Sequence, residues 1–255
     1  MKLAHQLADT ARAVTLSHFR RESELRQWSK SDGSLATEAD LAVEDEIRAC
    51  LLRERPTDAV LGEERGQTGS GTRRWIVDGI DGTVEFAAGS DDWATLIALE
   101  IDGVIMVSVC DQPARNRRYS AARGHGAFFT DASSQSEPRR LHVSETRAVE
   151  SARSRVPPED WVRGDRAKRI AATLASATKP QPHGDHPALL VASGTCDVTI
   201  FLLAGPWDLA GPLLIVEEAG GRFTDIDGRY DWTTGSAVFS NGHVHDEIIR
   251  LMASA

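Results

Sequence analysis

The sequence predicts an α/β fold, and three features point there. Two amphipathic helical patterns open the chain, short apolar strands ending in acidic turns fill its middle, and helical and strand patterns alternate after residue 140. With 255 residues, 41% of them hydrophobic and 26% charged, the chain can bury a sizeable core and does not have a disordered composition.

Leu3, Leu7, Ala11 and Val14 recur at helical spacing, so the first twenty residues read as an amphipathic helix. A second helix is predicted from Thr37 to Arg53, with Leu41, Ile47 and Leu51 on its inner face. Thr37 and Asp40 form a capping box at its start, and Pro56 closes it. Val60-Leu61-Gly62-Glu63-Glu64 follows, a short apolar run ending in two acids, then a glycine-rich loop through Gly71. Trp75-Ile76-Val77 is a buried strand by residue type and runs into Asp78-Gly79-Ile80-Asp81-Gly82-Thr83. Strands are predicted at Thr95 to Ile101, Val104 to Cys110 and Arg118 to Ala122, with Asp102-Gly103 as a hairpin turn and a further turn beginning at Gly124. The polar, proline-bearing stretch from Asp131 to Arg140 divides the chain into expected halves, 1–135 and 141–255. Beyond it, helices are predicted at Arg166 to Ala177, Pro187 to Ser193 and Leu209 to Ala219, the last stopped by Gly220-Gly221. Asp197 to Leu202 reads as a strand. The seven basic residues between Arg147 and Arg169 read as a solvated face.

Composition narrows the function. Lys and Arg number 29 against 38 Asp and Glu, a net charge of −9, which argues against nucleic acid as a partner. An anionic small substrate then needs local compensation, and a metal ion is the obvious source. Cys50, Cys110 and Cys196 lie far apart with no CxxC pair, against both a disulfide framework and a structural zinc site. No apolar run approaches the length of a membrane span and the N-terminus has no apolar signal-peptide core, so no membrane association and a cytoplasmic location are expected.

The acidic residues carry the chemistry. Asp78 and Asp81, three apart on a tight turn, can converge on one point and, with the intervening carbonyl, offer the oxygen donors a hard cation needs. A helix beginning after Thr83 would turn its N–H groups toward a phosphate. Taken alone, each element has a plainer reading: the turn as a capped polar loop, Glu63-Glu64 as solvated, Asp208 as the N-cap of a helix from Leu209, and Asp40 as the capping-box acid.

In order along the chain, Gly62-Glu63-Glu64, Trp75 through Thr83, Trp207-Asp208 and Glu217-Glu218-Ala219-Gly220-Gly221 resemble the inositol monophosphatase superfamily of metal-dependent phosphatases. The likeness covers nearly the whole chain, including Lys30 and the Thr37 helix start. It implies an αβαβα layered sandwich, a homodimer, and hydrolysis of a small phosphate monoester with two or three Mg²⁺ ions. Carried over residue by residue, Glu63, Asp78, the Ile80 carbonyl, Asp81 and Asp208 look like the metal ligands. Thr83 and Asp40, with Glu63, look like the catalytic groups that help activate water. Gly82 and Thr83 look like the phosphate-binding amides. Glu64 and Lys30 are expected behind the ligands rather than on the metal.

The runs from Trp93, Ala121 and Ile215, and Gly184-Asp185, are most similar to histidinol-phosphate phosphatases, with Asp185 at a position that contacts the alcohol half of the substrate. Three departures stand out. Gly79 replaces the usual proline, which is expected to loosen the ligand turn. His186-Pro187 replace an aromatic pair, and His183 and His186 flank Asp185 as candidate pocket residues. Phe201, seven residues before Asp208, replaces a glutamate that binds the substrate's polar group, favouring a flatter and less polar leaving group. A divergent phosphatase for a nucleoside, sugar or inositol phosphate is therefore the alternative, and a non-catalytic phosphometabolite-binding protein is a further one. The pair His243 and His245 near the C-terminus reads as exposed surface.

Overall fold

The computed structural model describes residues 1–20, 25–31, 33–131, 133–134, 137–181 and 184–254. His183 lies outside them. The elements in chain order are α1 (Lys2–His18), β1 (Gln27–Ser29), β2 (Leu35–Thr37), α2 (Glu38–Glu54), β3 (Ala59–Gly62), β4 (Gly66–Thr68), β5 (Arg73–Asp81), α3 (Thr83–Ala87), β6 (Ala94–Ile101), β7 (Val104–Gln112), β8 (Arg117–Ala122), β9 (Gly126–Asp131) and β10 (Arg139–Arg140). They continue with β11 (Arg153–Arg155), α4 (Asp165–Ala177), β12 (Lys179–Pro180), α5 (Pro187–Ala192), β13 (Val198–Phe201), α6 (Pro206–Glu218), β14 (Arg222–Thr224), β15 (Ala237–Ser240) and α7 (His245–Ala253).

Three apolar clusters show how these elements stack. Leu7 and Ala11 of α1 and Val43, Ile47 and Leu51 of α2 pack on Trp75, Val77, Ile97 and Leu99, one face of an eight-stranded sheet ordered β10-β9-β8-β7-β6-β5-β3-β4. The opposite face, with Ile76, Leu96 and Ala98, packs on Leu189 of α5 and Leu209, Leu213 and Ile215 of α6. Those helices also cover Ala237 and Phe239 of a five-stranded sheet ordered β12-β11-β13-β15-β14. That sheet's other face, with Val198, Ile200 and Val238, meets Ile170 and Leu174 of α4 and Ile248 and Met252 of α7. The result is the expected αβαβα sandwich. The two-residue period of a strand sorts each side chain to its layer, and so puts Asp78 of β5 and Phe201 of β13 on the layers that face α6.

Local rules account for the framework. Thr37 and Asp40 form the expected capping box at α2. Asp102 and Gly103 both take positive φ, 52° and 80°, as the tight β6–β7 hairpin requires. On α2 the buried stripe is Val43, Glu44, Ile47, Cys50 and Leu51, whereas Leu41 is only half-buried. The sequence pattern did not mark β9, β11, β14, β15 or α7. Apart from six-residue β9 and nine-residue α7 these are three- or four-residue pieces, too short to show a period. Helix α6 begins at Pro206, not Leu209, because proline at the first position needs no N–H partner there. His245 corrects the exposed-surface reading: it is fully buried between Thr224 and Ser240, while His243 is exposed.

Candidate active site

The acidic residues gather where β3, β5 and the start of α6 meet. Between Asp78 and Asp81 the β5–β6 register shifts, so the strand bulges and the chain turns over its own acids. Asp78 Oδ1 accepts from Ile80 N at 2.9 Å, closing that turn on itself. Gly82 then takes φ of 89°, and a β-carbon there would stand 2.9 Å from the Asp92 carbonyl, so only glycine admits the start of α3. Asp208 sits at the third position of α6, not as its N-cap, and its Oδ2 accepts from the Gly205 N–H at 2.7 Å.

Carboxylate oxygens of Glu63, Asp78 and Asp208 all lie within 4.8 Å of one another. Asp81 is outside this trio. Its side chain is 28% exposed, and its Oδ2 lies 3.4 Å from His186 Nε2 without the alignment of a hydrogen bond. Burial first, then Glu63, Asp81 and Asp208, push the Asp78 carboxyl well above the ordinary range. Burial and the Asp208 and Glu63 charges do the same to Asp81, and burial with Glu63 lifts Asp208 to about 7. These carboxylates are mutually repulsive as they stand, and a cation among them relieves that repulsion. The all-oxygen donor set, at this spacing and depth, fits a hard divalent cation.

A second layer fixes the first. Lys30 Nζ donates to Glu63 at 2.7 Å and also to Glu64. Burial opposes the Lys30 charge, but these two carboxylates outweigh it and raise its pKa. Fully buried Glu44 of α2 accepts from the backbone N–H groups of Glu64 at 2.7 Å and Arg65 at 3.1 Å, pinning the loop that carries Glu63. A β-carbon at Gly62 would stand 2.2 Å from Glu44 Oε1, so this glycine makes room for the brace. Sequence reading passed over Glu44, although an acid on the apolar stripe with Ile47 and Leu51 was a visible signal.

Beside the trio, Thr83 Oγ1 lies 2.9 Å from Asp40 Oδ1 and 3.2 Å from the Ile80 carbonyl, placed to donate its one proton to either acceptor. Asp40 Oδ2 accepts from the Thr37 N–H at 2.8 Å and from its hydroxyl. Burial raises the Asp40 carboxyl above its usual range, outweighing the hydrogen bonds from Thr37 and Thr83.

A sequence model of the inositol monophosphatase family matches residues 1–255. The chain belongs to the inositol monophosphatase family. Among curated relatives, a protein named histidinol-phosphatase from Streptomyces coelicolor is 38% identical, over 98% of this chain and 95% of that one. Another histidinol-phosphatase, from Mycobacterium tuberculosis, is 41% identical over 98% and 96%. The solved structure of extragenic suppressor protein SuhB from Bartonella henselae superposes with a TM-score of 0.86 at 27% identity, over 99% of this chain and 97% of that one. On this membership the chain is a metal-dependent phosphatase.

The residues expected to touch the alcohol half of the substrate are arranged differently from one another. Asp185 is already engaged: Arg117 Nη1 donates to Oδ1, Tyr119 Oη donates to Oδ2 at 2.6 Å, and Arg115 Nη1 stands 3.6 Å from Oδ1. Asp185 thus lines the cavity beside Asp81 with both oxygens shared with these partners. His186 is 8% exposed and stacks on Phe201, ring centroids 5.7 Å apart and planes 21° apart. Burial lowers its pKa to about 4, so the imidazole is neutral. Among the described residues, neither of its ring nitrogens has a hydrogen-bond partner. Arg155 and Trp161, within the stretch read as a solvated face, line the cavities beside Asp81. Among the described residues, no helix is long and apolar enough to cross a membrane.

Proposed function

We propose that the chain hydrolyses a small phosphate monoester with Mg²⁺ bound by Glu63, Asp78 and Asp208, the set for two or three ions being completed by Asp81 and the Ile80 carbonyl. The observation that carries this is the convergence of three carboxylates beside the Thr83–Asp40 hydrogen bond. When bound, such ions acidify water and neutralise charge on the phosphoryl group.

The chain's own residues supply the rest. Thr83 gives its hydroxyl proton to an acceptor, Asp40 or the Ile80 carbonyl, which leaves oxygen lone pairs to accept from a water. A proton leaving that water can pass through Thr83 Oγ1 to Asp40 Oδ1, whose raised pKa suits it to hold the proton. Gly82 and Thr83 stand at the N-terminus of α3, where N–H groups lack intrahelical partners and suit phosphate oxygens. Lys30 and Glu44 hold Glu63 in place, and the raised carboxyls of Asp78 and Asp208 mark how strongly this cluster favours positive charge.

The two relatives' names make histidinol phosphate the first substrate to test. A different alcohol is favoured by Phe201, which stands where a carboxylate is expected, and by Asp185, whose oxygens are held by Arg117 and Tyr119. A homodimer is the assembly that the resemblance implies. The test is phosphate release with and without Mg²⁺ across histidinol phosphate, inositol 1-phosphate, fructose 1,6-bisphosphate and nucleoside and sugar monophosphates. Release that stops in EDTA and returns with Mg²⁺ is expected. Release that is indifferent to chelation overturns the metal assignment.

A further inference from the structure

Two adjoining cavities of about 200 and 260 Å³ open beside the carboxylates. Asp81 is in the wall of both and Asp208 in the wall of the smaller, so the group esterified to a phosphate held here must extend into them. Among the described residues, the smaller cavity has no carboxylate besides these two. Apolar residues make most of its wall, Val156, Pro157, Pro158, Trp161, Phe201 and Leu203 among them. Two of these apolar residues are unusually open for their type: Trp161 is 57% and Leu203 70% exposed. An apolar surface of this kind, continuous with a catalytic centre, marks where a ligand's apolar part lies.

The chemistry of the wall narrows the occupant. A cavity of about 150 Å³ lined by apolar side chains takes a benzene ring, so about 200 Å³ suits one ring with a short linker. Phe201 is held between the stacked His186 ring and the edge of Phe239, whose centroid is 5.7 Å away at 83°. That clamp fixes the orientation of Phe201 at the cavity wall. The two prolines, 157 and 158, stiffen the segment that brings Trp161 to the same cavity. In the smaller cavity an ammonium group meets Arg155 and, among the described residues, only the two carboxylates assigned to metal, while an anionic group meets Asp81 and Asp208; Glu85, Asp92 and Asp185 line the adjoining cavity instead.

We infer that Trp161 and Phe201, the latter clamped by His186, form an aromatic slot that binds a flat, uncharged ring on the alcohol half of the substrate. The inference rests on the phosphatase reading for the position of the phosphate, and Trp161 is the specificity residue it adds.

The test uses the full chain with Mg²⁺ and three primary-alcohol esters, 2-phenylethyl, 2-cyclohexylethyl and 2-aminoethyl phosphate, of which the amino ester has the better leaving group and so works against the expected order. Calorimetry with 2-phenylethylphosphonate and 2-aminoethylphosphonate, which cannot be hydrolysed, reads binding separately. The expected order of kcat/KM is phenyl, cyclohexyl, amino, with phenyl ahead of amino by about tenfold. Trp161→Ala narrows that ratio by about three- to tenfold, through KM rather than kcat, and weakens phenyl phosphonate binding in step, while Trp161→Phe retains most of both. A preference for the amino ester, or a ratio unmoved by Trp161→Ala, overturns the slot while leaving the phosphatase reading intact. Selective phenyl phosphonate binding with no phosphate released from any ester upholds the slot and sinks the phosphatase reading. A Trp161→Ala chain that changes sedimentation but not the ratio assigns Trp161 to contact with a second copy and also overturns the slot.

Discussion

Val43 fills the space that residue 79 would need for a side chain: its Cγ1 lies 2.2 Å from where a β-carbon on Gly79 would stand. The glycine that departs from the family's proline is thus matched by a valine packed over the ligand turn from α2. Thr95 Oγ1 donates to the Gly79 carbonyl at 2.8 Å, and Asp78 Oδ1 accepts from Ile80 N. The loosening expected from glycine is opposed by a methyl group on one side and a hydroxyl on the other.

Gly79→Ala is therefore expected to destabilise the fold by about 1–3 kcal/mol, because a stiff β-branched side chain must yield. Val43→Ala opens the space, so the double variant is expected to lose less than the two single variants together, by about 0.5–3 kcal/mol of coupling. Urea midpoints of the four chains measure it. Strict additivity contradicts the packing account.

Removing the proton-handling pair is expected to slow turnover without unfolding the chain. Thr83→Ala and Asp40→Asn should each lower kcat by about 10²–10⁴, and the double variant little further, because the two act as one unit. Asp40 also caps α2 through Thr37, so Asp40→Asn should lose about 1 kcal/mol of stability that Thr83→Ala keeps. Steady-state kinetics beside thermal melts separate the two roles.

Asp81→Asn is expected to abolish turnover and yet raise the melting temperature in EDTA. Burial and the charges of Asp208 and Glu63 hold the Asp81 carboxyl well above its ordinary range, so a neutral amide relieves repulsion that the metal-free protein carries. The upward shift that Mg²⁺ gives the wild-type melt should shrink in the variant, since the stabilisation a ligand gives falls as its affinity falls. Wild-type turnover by Asp81→Asn removes this residue from the site.

What the sequence disclosed and what it hid divides by distance along the chain. The Thr37–Asp40 capping box and the Asp78 to Thr83 turn were legible because their partners are two or three residues apart. The layered fold and the acids of the site were legible through the order of motifs. Hidden were contacts that only folding creates. Tyr119 and Arg117 hold Asp185 across 66 and 68 residues, and Glu44 braces the Glu63 loop across 20. Trp161 looked like part of a charged surface because its cavity is assembled from β13, the start of α6 and a proline-stiffened segment, none of which signals the others.

Phe201→Glu is expected to move specificity toward amino-alcohol and polyol phosphates. The carboxylate adds to the smaller cavity an acceptor that Phe201 lacks, while Asp185 in the adjoining cavity is shared with Arg117 and Tyr119. A gain of about tenfold in kcat/KM for 2-aminoethyl phosphate is within what one new charged contact yields. The change also removes the ring that packs on His186 and Phe239, so a stability loss of about 1–3 kcal/mol should accompany it. No gain on any amino or polyol ester rules out residue 201 as the determinant.

His245 makes the stability of the fold depend on pH. Thr224 Oγ1 gives its proton to the Asp225 carbonyl at 2.8 Å, so at 3.0 Å it must accept from His245 Nε2–H, which leaves Nδ1 to accept from Ser240 at 2.8 Å. Burial, aided by the Arg222 charge and opposed by Asp246, lowers the His245 pKa to about 4. In the unfolded chain the value returns to about 6.5. Above pH 6.5 the ring is neutral in both states and its contribution is complete. Between 6.5 and 4 the unfolded chain takes up a proton that the folded one refuses, and stability falls by on the order of 3 kcal/mol. Asp208, raised to about 7, acts in the opposite sense over part of that window, but it does so equally in a His245→Gln chain. The difference between wild type and His245→Gln, measured by urea unfolding at pH 7.5 and pH 4.5, therefore isolates the histidine. Wild type should lose more stability than the variant on acidification, and equal losses would show that the buried ring is not what resists the proton.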